Sequence, residues 1–227
     1  MNGKKPVKTI KPLVLRFSRF LVRLFLKVFF GCSYHYEQPL SLEGPVIFAS
    51  NHQSYLDPPT VGAGIAKGIY FMAKQELFSN RFFGALIGFY NAVPVRRGVM
   101  DWRAVARIKE ILKTGGAVLV FPEGTRSRDG HLGKARFGAG LLAQETGAVI
   151  VPVYVRGTDR LLAALLRKRP MAVFYGCPLP PEQYGSFERS TRGQLAVSEL
   201  IMQRISCMQQ AYDTVDFTRA VSGPEKS

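Results

Sequence analysis

The chain has 227 residues, 47% of them hydrophobic, with 31 Lys and Arg against 16 Asp and Glu, a formal net charge of +15 at pH 7. That length and apolar content exclude a disordered chain and suffice for one sizeable domain with its own core. The charge calls for an anionic partner: nucleic acid, anionic lipid, a phosphorylated substrate or an acidic carrier protein. Cys32, Cys177 and Cys207 are few and widely spaced, which argues against a disulfide framework and against a zinc site.

The charge is unevenly placed. Residues 1–30 carry eight basic groups and no acid, interleaved with Phe and Leu. Leu13–Phe30 reads as a helix on which Arg16, Arg19, Arg23 and Lys27 fall within about 80° of one another. The other faces hold Leu13, Phe17, Phe20, Leu21, Leu24, Phe25, Val28 and Phe29. Its 18 residues reach about 27 Å, slightly short of a bilayer core. Central Arg19 and Arg23 would cost about 5–7 kcal/mol on insertion, a sum similar to the apolar gain. A helix lying in the membrane interface keeps most of that gain without the charge penalty, so a monotopic anchor is favoured over a spanning helix. The competing reading is a helix packed on its own domain with a solvated basic edge. Arginines break the apolar stretch and no small-residue cleavage site follows, so it does not read as a cleavable signal.

After Gly44-Pro45, short apolar runs alternate with helical patterns. The runs are Val46–Ser50, Ile69–Met72, Ala92–Val95, Ala117–Phe121, Val149–Val155 and Met171–Tyr175. Helices are expected at Pro58–Ala66, Lys74–Gly88, Asp101–Thr114, Ala135–Thr146, Asp159–Leu166 and Leu195–Tyr212, the last with Leu200, Ile201, Ile205 and Met208 turned inward. This alternation predicts an α/β domain with a mixed, largely parallel sheet flanked by helices. Gly176–Gly185 reads as a surface loop. The expected organisation is an anchoring segment at 1–35, the main domain at 36–215 and a flexible tail at 216–227, frayed from Thr218 onward.

Three polar clusters follow three of these runs. Asn51-His52-Gln53-Ser54-Tyr55-Leu56-Asp57 follows the first, Arg96-Arg97-Gly98 the third, and Pro122-Glu123-Gly124-Thr125-Arg126 the fourth. Carboxyl ends of parallel strands share one edge of a sheet, where ligands bind, so the clusters can converge. His52 is a candidate general base, with Asp57 holding its other ring nitrogen if the chain turns sharply between them. The plain alternative is a structural histidine and an Asp57-Pro58 helix start; His35 and His131 read as structural. In the third cluster Gly permits close backbone approach, Thr offers a hydroxyl and Arg a bidentate fork for phosphate, with Lys134 and Arg136 adding charge. Arg97 alternates onto the face of Val93 and Val95, so only one of Arg96 and Arg97 reaches a site at that strand end.

Taken in order, His-x4-Asp, an apolar run ending in Arg, Phe-Pro-Glu-Gly-Thr-Arg, and a run containing Val151-Pro152-Val153 resemble the glycerophospholipid acyltransferase family over roughly residues 44–160. The nearest likeness is to the 1-acylglycerol-3-phosphate acyltransferases. The resemblance implies that His52 is the general base and Asp57 its orienting partner. It implies that Arg97, Glu123, Gly124, Thr125 and Arg126 bind the acceptor, with Lys134 nearby, and it links Val151 and Pro152 more loosely to the acyl chain. The second motif departs from the pattern, since Pro94 interrupts the run and Arg96 doubles the Arg. The implied reaction moves a fatty acyl group from acyl-CoA or acyl carrier protein to lysophosphatidic acid, giving phosphatidic acid without metal or other cofactor. The implied place is the cytoplasmic face of a phospholipid membrane. Other readings remain: a different lysolipid acceptor, or a non-catalytic membrane lipid-binding protein. A hydrolase lacks its Gly-x-Ser-x-Gly elbow, and no nucleic-acid-binding motif accompanies the charge, so nucleic acid is not an expected partner.

Overall fold

A computed structural model describes residues 12–40, 42–96, 101–127 and 129–221. Seven strands form one sheet: β1 (Ser33–Tyr36), β2 (Val46–Ser50), β3 (Ile69–Lys74), β4 (Ala92–Val95), β5 (Ala117–Val120), β6 (Val149–Arg156) and β7 (Ala172–Tyr175), in spatial order β1-β7-β6-β2-β5-β3-β4. From β6 to β4 the neighbouring strands are parallel. β7 runs antiparallel to β6 and carries β1 parallel to itself. The sheet is thus mixed and largely parallel, as the alternating pattern predicts.

Helices cover both faces, and side-chain alternation along the strands explains how. Ile47, Ala49, Val118, Val120 and Ile150 turn to one face, under α4 (Trp102–Lys113), α5 (Gly138–Thr146) and α7 (Thr191–Val221). Val46, Phe48, Leu119, Val151 and Val153 turn to the other, under α1 (Pro12–Phe30) and α2 (Asp57–Ala63), with Ala164 of α6 (Leu161–Leu165) in the same cluster. β2 sits between β6 and β5 and is buried along its whole length. The segment that follows it therefore emerges at the middle of the sheet's carboxyl edge.

Several boundaries differ from expectation for local reasons. The pattern at 74–88 splits into a 3-10 turn, Gln75–Phe78, and α3 (Arg81–Phe89), because Asn80 caps a new helix by accepting from Phe82 N at 3.1 Å and Phe83 N at 2.9 Å. β1 has no counterpart among the expected strands: Ser-Tyr-His-Tyr is short, polar and only half-buried at the sheet edge. The 176–185 loop is partly inward, with Leu179 paired to Ile150 and the Tyr184 hydroxyl donating to Ala148 O at 2.6 Å. α7 begins before Leu195 and continues to Val221, so residues 216–221 are helical where a flexible tail is expected.

α1 starts one residue before its expected Leu13. Its inner stripe is Leu15, Ser18, Arg19, Val22 and Leu26, and Arg19 leaves the expected basic face to donate to Ala66 O at 2.6 Å. The Arg23 guanidinium stacks over the Tyr34 ring at 4.5 Å. The exposed surface mixes apolar and basic side chains: Leu13, Phe17, Phe20, Leu24, Phe25 and Val28 are all exposed, as are Arg16, Arg23 and Lys27. Among the described residues no helix is long and apolar enough to cross a membrane.

Candidate active site

Where β2 ends, Asn51 takes over the ladder to β6 with its side chain, donating to Val155 O and accepting from Val155 N, each at 2.8 Å. This releases the backbone to turn, and His52 comes to rest at the sheet edge with its ring stacked on Phe121, centroids 3.9 Å apart. Asp57, the first residue of α2, is fully buried. Its Oδ2 lies 2.7 Å from His52 Nδ1 and also accepts from Gln53 N at 2.7 Å and Ser54 N at 2.8 Å. The tight turn from 52 to 57 is thus knitted by the carboxylate itself; Asp57 does not cap α2, whose N-cap is Leu56 without a side-chain bond, because its Oδ2 is turned back to the 52–54 turn. With Nδ1–H donating to the carboxylate, the lone pair of His52 falls on Nε2.

A residue that sequence reasoning missed completes this half. Thr158, just beyond β6, is buried and donates to Asp57 Oδ1 at 2.6 Å. It is 101 positions from Asp57 in sequence, so no local spacing could pair them. Phe121 is legible from sequence only as a strand end.

Glu123, expected on the acceptor, reaches two backbone amides. It is buried, with Oε1 accepting from His52 N at 2.9 Å and Oε2 from Gly133 N at 2.8 Å. Burial raises its pKa, opposed by those two hydrogen bonds. Through these two bonds Glu123 ties the His52 turn to the 122–136 loop. A second tie, Ser127 N to His52 O at 2.8 Å, holds the Arg126 segment against the His52 segment.

The cationic side is looser. Gly124 adopts a left-handed φ of +69°, and a Cβ there would stand 2.8 Å from Arg136 Cδ; the glycine lets the Arg136 stem lie across the turn. Gly124, Thr125, Lys134 and Arg136 are all exposed to solvent. Arg126 is half-buried, its guanidinium carbon 3.7 Å above the Tyr55 ring, and its Nε has no hydrogen-bond partner among the described residues. Arg96 binds Gln75 Oε1 at 3.3 Å, and Arg97 lies outside the described residues. The structure therefore brings His52, Asp57, Glu123 and Arg126 together, with Lys134 on the same loop.

His52 and Phe121 also line a cavity of about 740 Å³, walled by α1 (Leu15, Val22), β3 (Ile69, Phe71) and α3 (Phe83, Leu86). An apolar chamber beside a held imidazole suits a substrate with a hydrocarbon tail. Val151, loosely expected on the acyl side, is instead buried in the core. A second cavity, of about 530 Å³, lies by Tyr36 and the end of α2 and includes none of these polar residues. Of the other histidines, His35 stacks on Phe174 at 4.7 Å. Among the described residues no group of three or more His, Cys, Asp or Glu is placed to hold a metal ion.

An imidazole–carboxylate pair thus stands on the carboxyl edge of an α/β sheet, beside a cationic turn and an apolar chamber. The family model for Acyltransferase matches residues 32–156, and the chain belongs to that family. It is 37% identical to a chloroplastic 1-acyl-sn-glycerol-3-phosphate acyltransferase of Arabidopsis thaliana over 126 residues, 54% of this chain and 35% of that protein. It is 28% identical to the 1-acyl-sn-glycerol-3-phosphate acyltransferase of Bacillus subtilis over 200 residues, 87% of this chain and 98% of that one. The crystal structure of the 1-acyl-sn-glycerophosphate acyltransferase of Thermotoga maritima shares the fold, with a TM-score of 0.63 at 24% identity over 89% of this chain and 84% of that one. The chain spans only about a third of the length of the chloroplast relatives.

Proposed function

We propose that this chain transfers a fatty acyl group from an acyl thioester, acyl-CoA or acyl carrier protein, to the free hydroxyl of 1-acylglycerol-3-phosphate, giving phosphatidic acid. One observation carries the reading: His52, held by buried Asp57 at 2.7 Å, lines a large apolar cavity. His52 Nε2 removes the proton of the acceptor hydroxyl as that oxygen attacks the thioester carbonyl. The tetrahedral oxyanion collapses, the thiolate leaves, and the imidazolium returns the proton to it, so no acyl-enzyme forms. Asp57 fixes the tautomer and offsets the charge on the imidazolium.

The acceptor's phosphate sits against Arg126, with Lys134 and Arg136 enriching the local positive charge and the turn at Gly124 giving backbone access. The resemblance adds Arg97 to this group. The acyl tail occupies the chamber between α1 and α3. α1 lies in the membrane interface with Phe17, Phe20 and Leu24 in lipid, keeping the chamber near the substrates' own medium.

Turnover by purified protein, with labelled acyl-CoA and acyl carrier protein and a panel of lysolipids, tests this by product mass. Phosphatidic acid from lysophosphatidic acid, in preference to phosphate-free acceptors, supports the assignment. Thioester loss without an acylated lipid product overturns it.

A further inference from the structure

α6 departs from the usual distribution of side chains. In Leu161–Leu165 and the following Leu166, the small residue Ala164 is buried, while Leu161, Leu162, Leu165 and Leu166 are 44%, 69%, 47% and 56% exposed. Large apolar side chains gathered on the outside mark a surface that meets something apolar. Cations frame it: Arg160, Arg167 and Lys168 are exposed and Arg169 half-buried. The single acid among residues 157–170 is Asp159, which lies 3.5 Å from Arg160.

The helix is also firmly fixed. Arg167 donates to the α1 carbonyl oxygens of Val28 at 2.8 Å and Lys27 at 3.4 Å, and Met171 N to Phe30 O at 3.2 Å. α6 is thereby bolted beside the last turn of α1, whose Phe25, Val28 and Phe29 are exposed as well. It starts three residues after Thr158, on the same sheet edge as His52.

We propose that α6 and its cationic flanks form a second contact with an anionic phospholipid bilayer. This extends the interfacial reading of α1 and rests on it. Leucines at the acyl boundary with Arg and Lys among the headgroup phosphates match such a surface in both polarity and charge. A second copy of the chain would instead set these cations against a partner of charge +15. A single helix lying in an interface leaves the protein free to roll about that helix. A second contact fixed to it removes the freedom and holds the catalytic edge at one angle to the lipid.

The experiment uses the full chain and vesicle sedimentation, with phosphatidylcholine alone or mixed with phosphatidylglycerol. Three variants are compared: Leu162→Glu/Leu166→Glu on α6, Phe20→Glu/Leu24→Glu on α1, and Arg160→Ser/Lys168→Ser. The α6 leucine pair should weaken binding to the mixed vesicles about tenfold, with turnover on detergent-dispersed substrates unchanged. The Arg160/Lys168 pair should weaken binding only where phosphatidylglycerol is present. Because those two side chains are exposed, that variant keeps the test decisive if the leucine pair disturbs folding. If both α6 variants bind as the parent does while the α1 variant releases, the α6 contact is refuted and the α1 reading survives. If the α1 variant also binds undiminished, the interfacial reading itself fails. A shift in oligomeric state with vesicle binding intact would reassign the face to contact between chains and overturn the proposal.

Discussion

Asp57 accepts four hydrogen bonds, from His52, Gln53, Ser54 and Thr158, while Arg126 Nε, on the facing loop, has no partner among the described residues. The imidazole side of the site is buried and braced from three strand ends; the cationic side is open to solvent and leans on one aromatic ring. The difference fits what each half would do. On the proposed function, proton transfer at His52 tolerates little misplacement, which a geometry built in advance would serve. A phosphate would bring two charges and several acceptor oxygens of its own to Arg126. The proposed machinery is then preorganised where the chemistry is demanding and completed by the ligand where attraction suffices.

The comparison breaks first at His52. His52→Ala should lower turnover about 10³-fold with little change in thermal stability; near-parental turnover would remove the general-base assignment. Next comes Glu123, which the geometry makes a brace. Glu123→Ala leaves two amides, His52 N and Gly133 N, without their carboxylate, each worth about 1–3 kcal/mol. The expectation is a loss of both stability and kcat, the latter about 100-fold, with KM for the acceptor little altered. A pure KM effect would return Glu123 to the ligand-binding role expected of it. Thr158 is subtler. Thr158→Val removes one donor from buried Asp57 and should lower kcat about tenfold, with KM for the acceptor little altered. Thr158→Ser should restore kcat, and a valine variant with parental kcat would reduce Thr158 to packing.

Much of this architecture can be read in the sequence, and the exceptions have physical causes. β2, β5 and β6 are continuous apolar runs because a central parallel strand is buried on both faces, and such runs are conspicuous. β1 is hidden because an edge strand that pairs only with β7 needs no such run. His52 and Asp57 are legible because a five-residue gap can be closed by a turn, and a family pattern contains it. Thr158 is not, because the meeting of the β2 and β6 ends is a property of strand order rather than of local spacing. Glu123 lies where the motif puts it, and its two bonds to backbone amides are not legible there, because a carboxylate in a cationic motif suggests a ligand and only the fold brings His52 N and Gly133 N to it. The exposed apolar side chains of α1 follow from its pattern, but the inward turn of Arg19 depends on Ala66 O lying beneath it.

The smallest effect is expected at the cationic rim. Arg126 is half-buried and solvent competes for it, so Arg126→Ala should raise KM for lysophosphatidic acid only about fivefold. Its kcat should stay close to the parent's, because the ties of His52 to Asp57 and to Glu123 involve no Arg126 side-chain atom. The KM effect should shrink as salt rises, since screening weakens an exposed charge pair more than a buried one. A phosphate-free lysolipid acceptor provides the control, and its KM should not respond to the substitution. If Arg126→Ala instead lowered kcat for both acceptors equally, the guanidinium would belong with the preorganised half, its stacking on Tyr55 acting to hold the His52 turn. The division of labour between the two sides would then have to be redrawn around that ring.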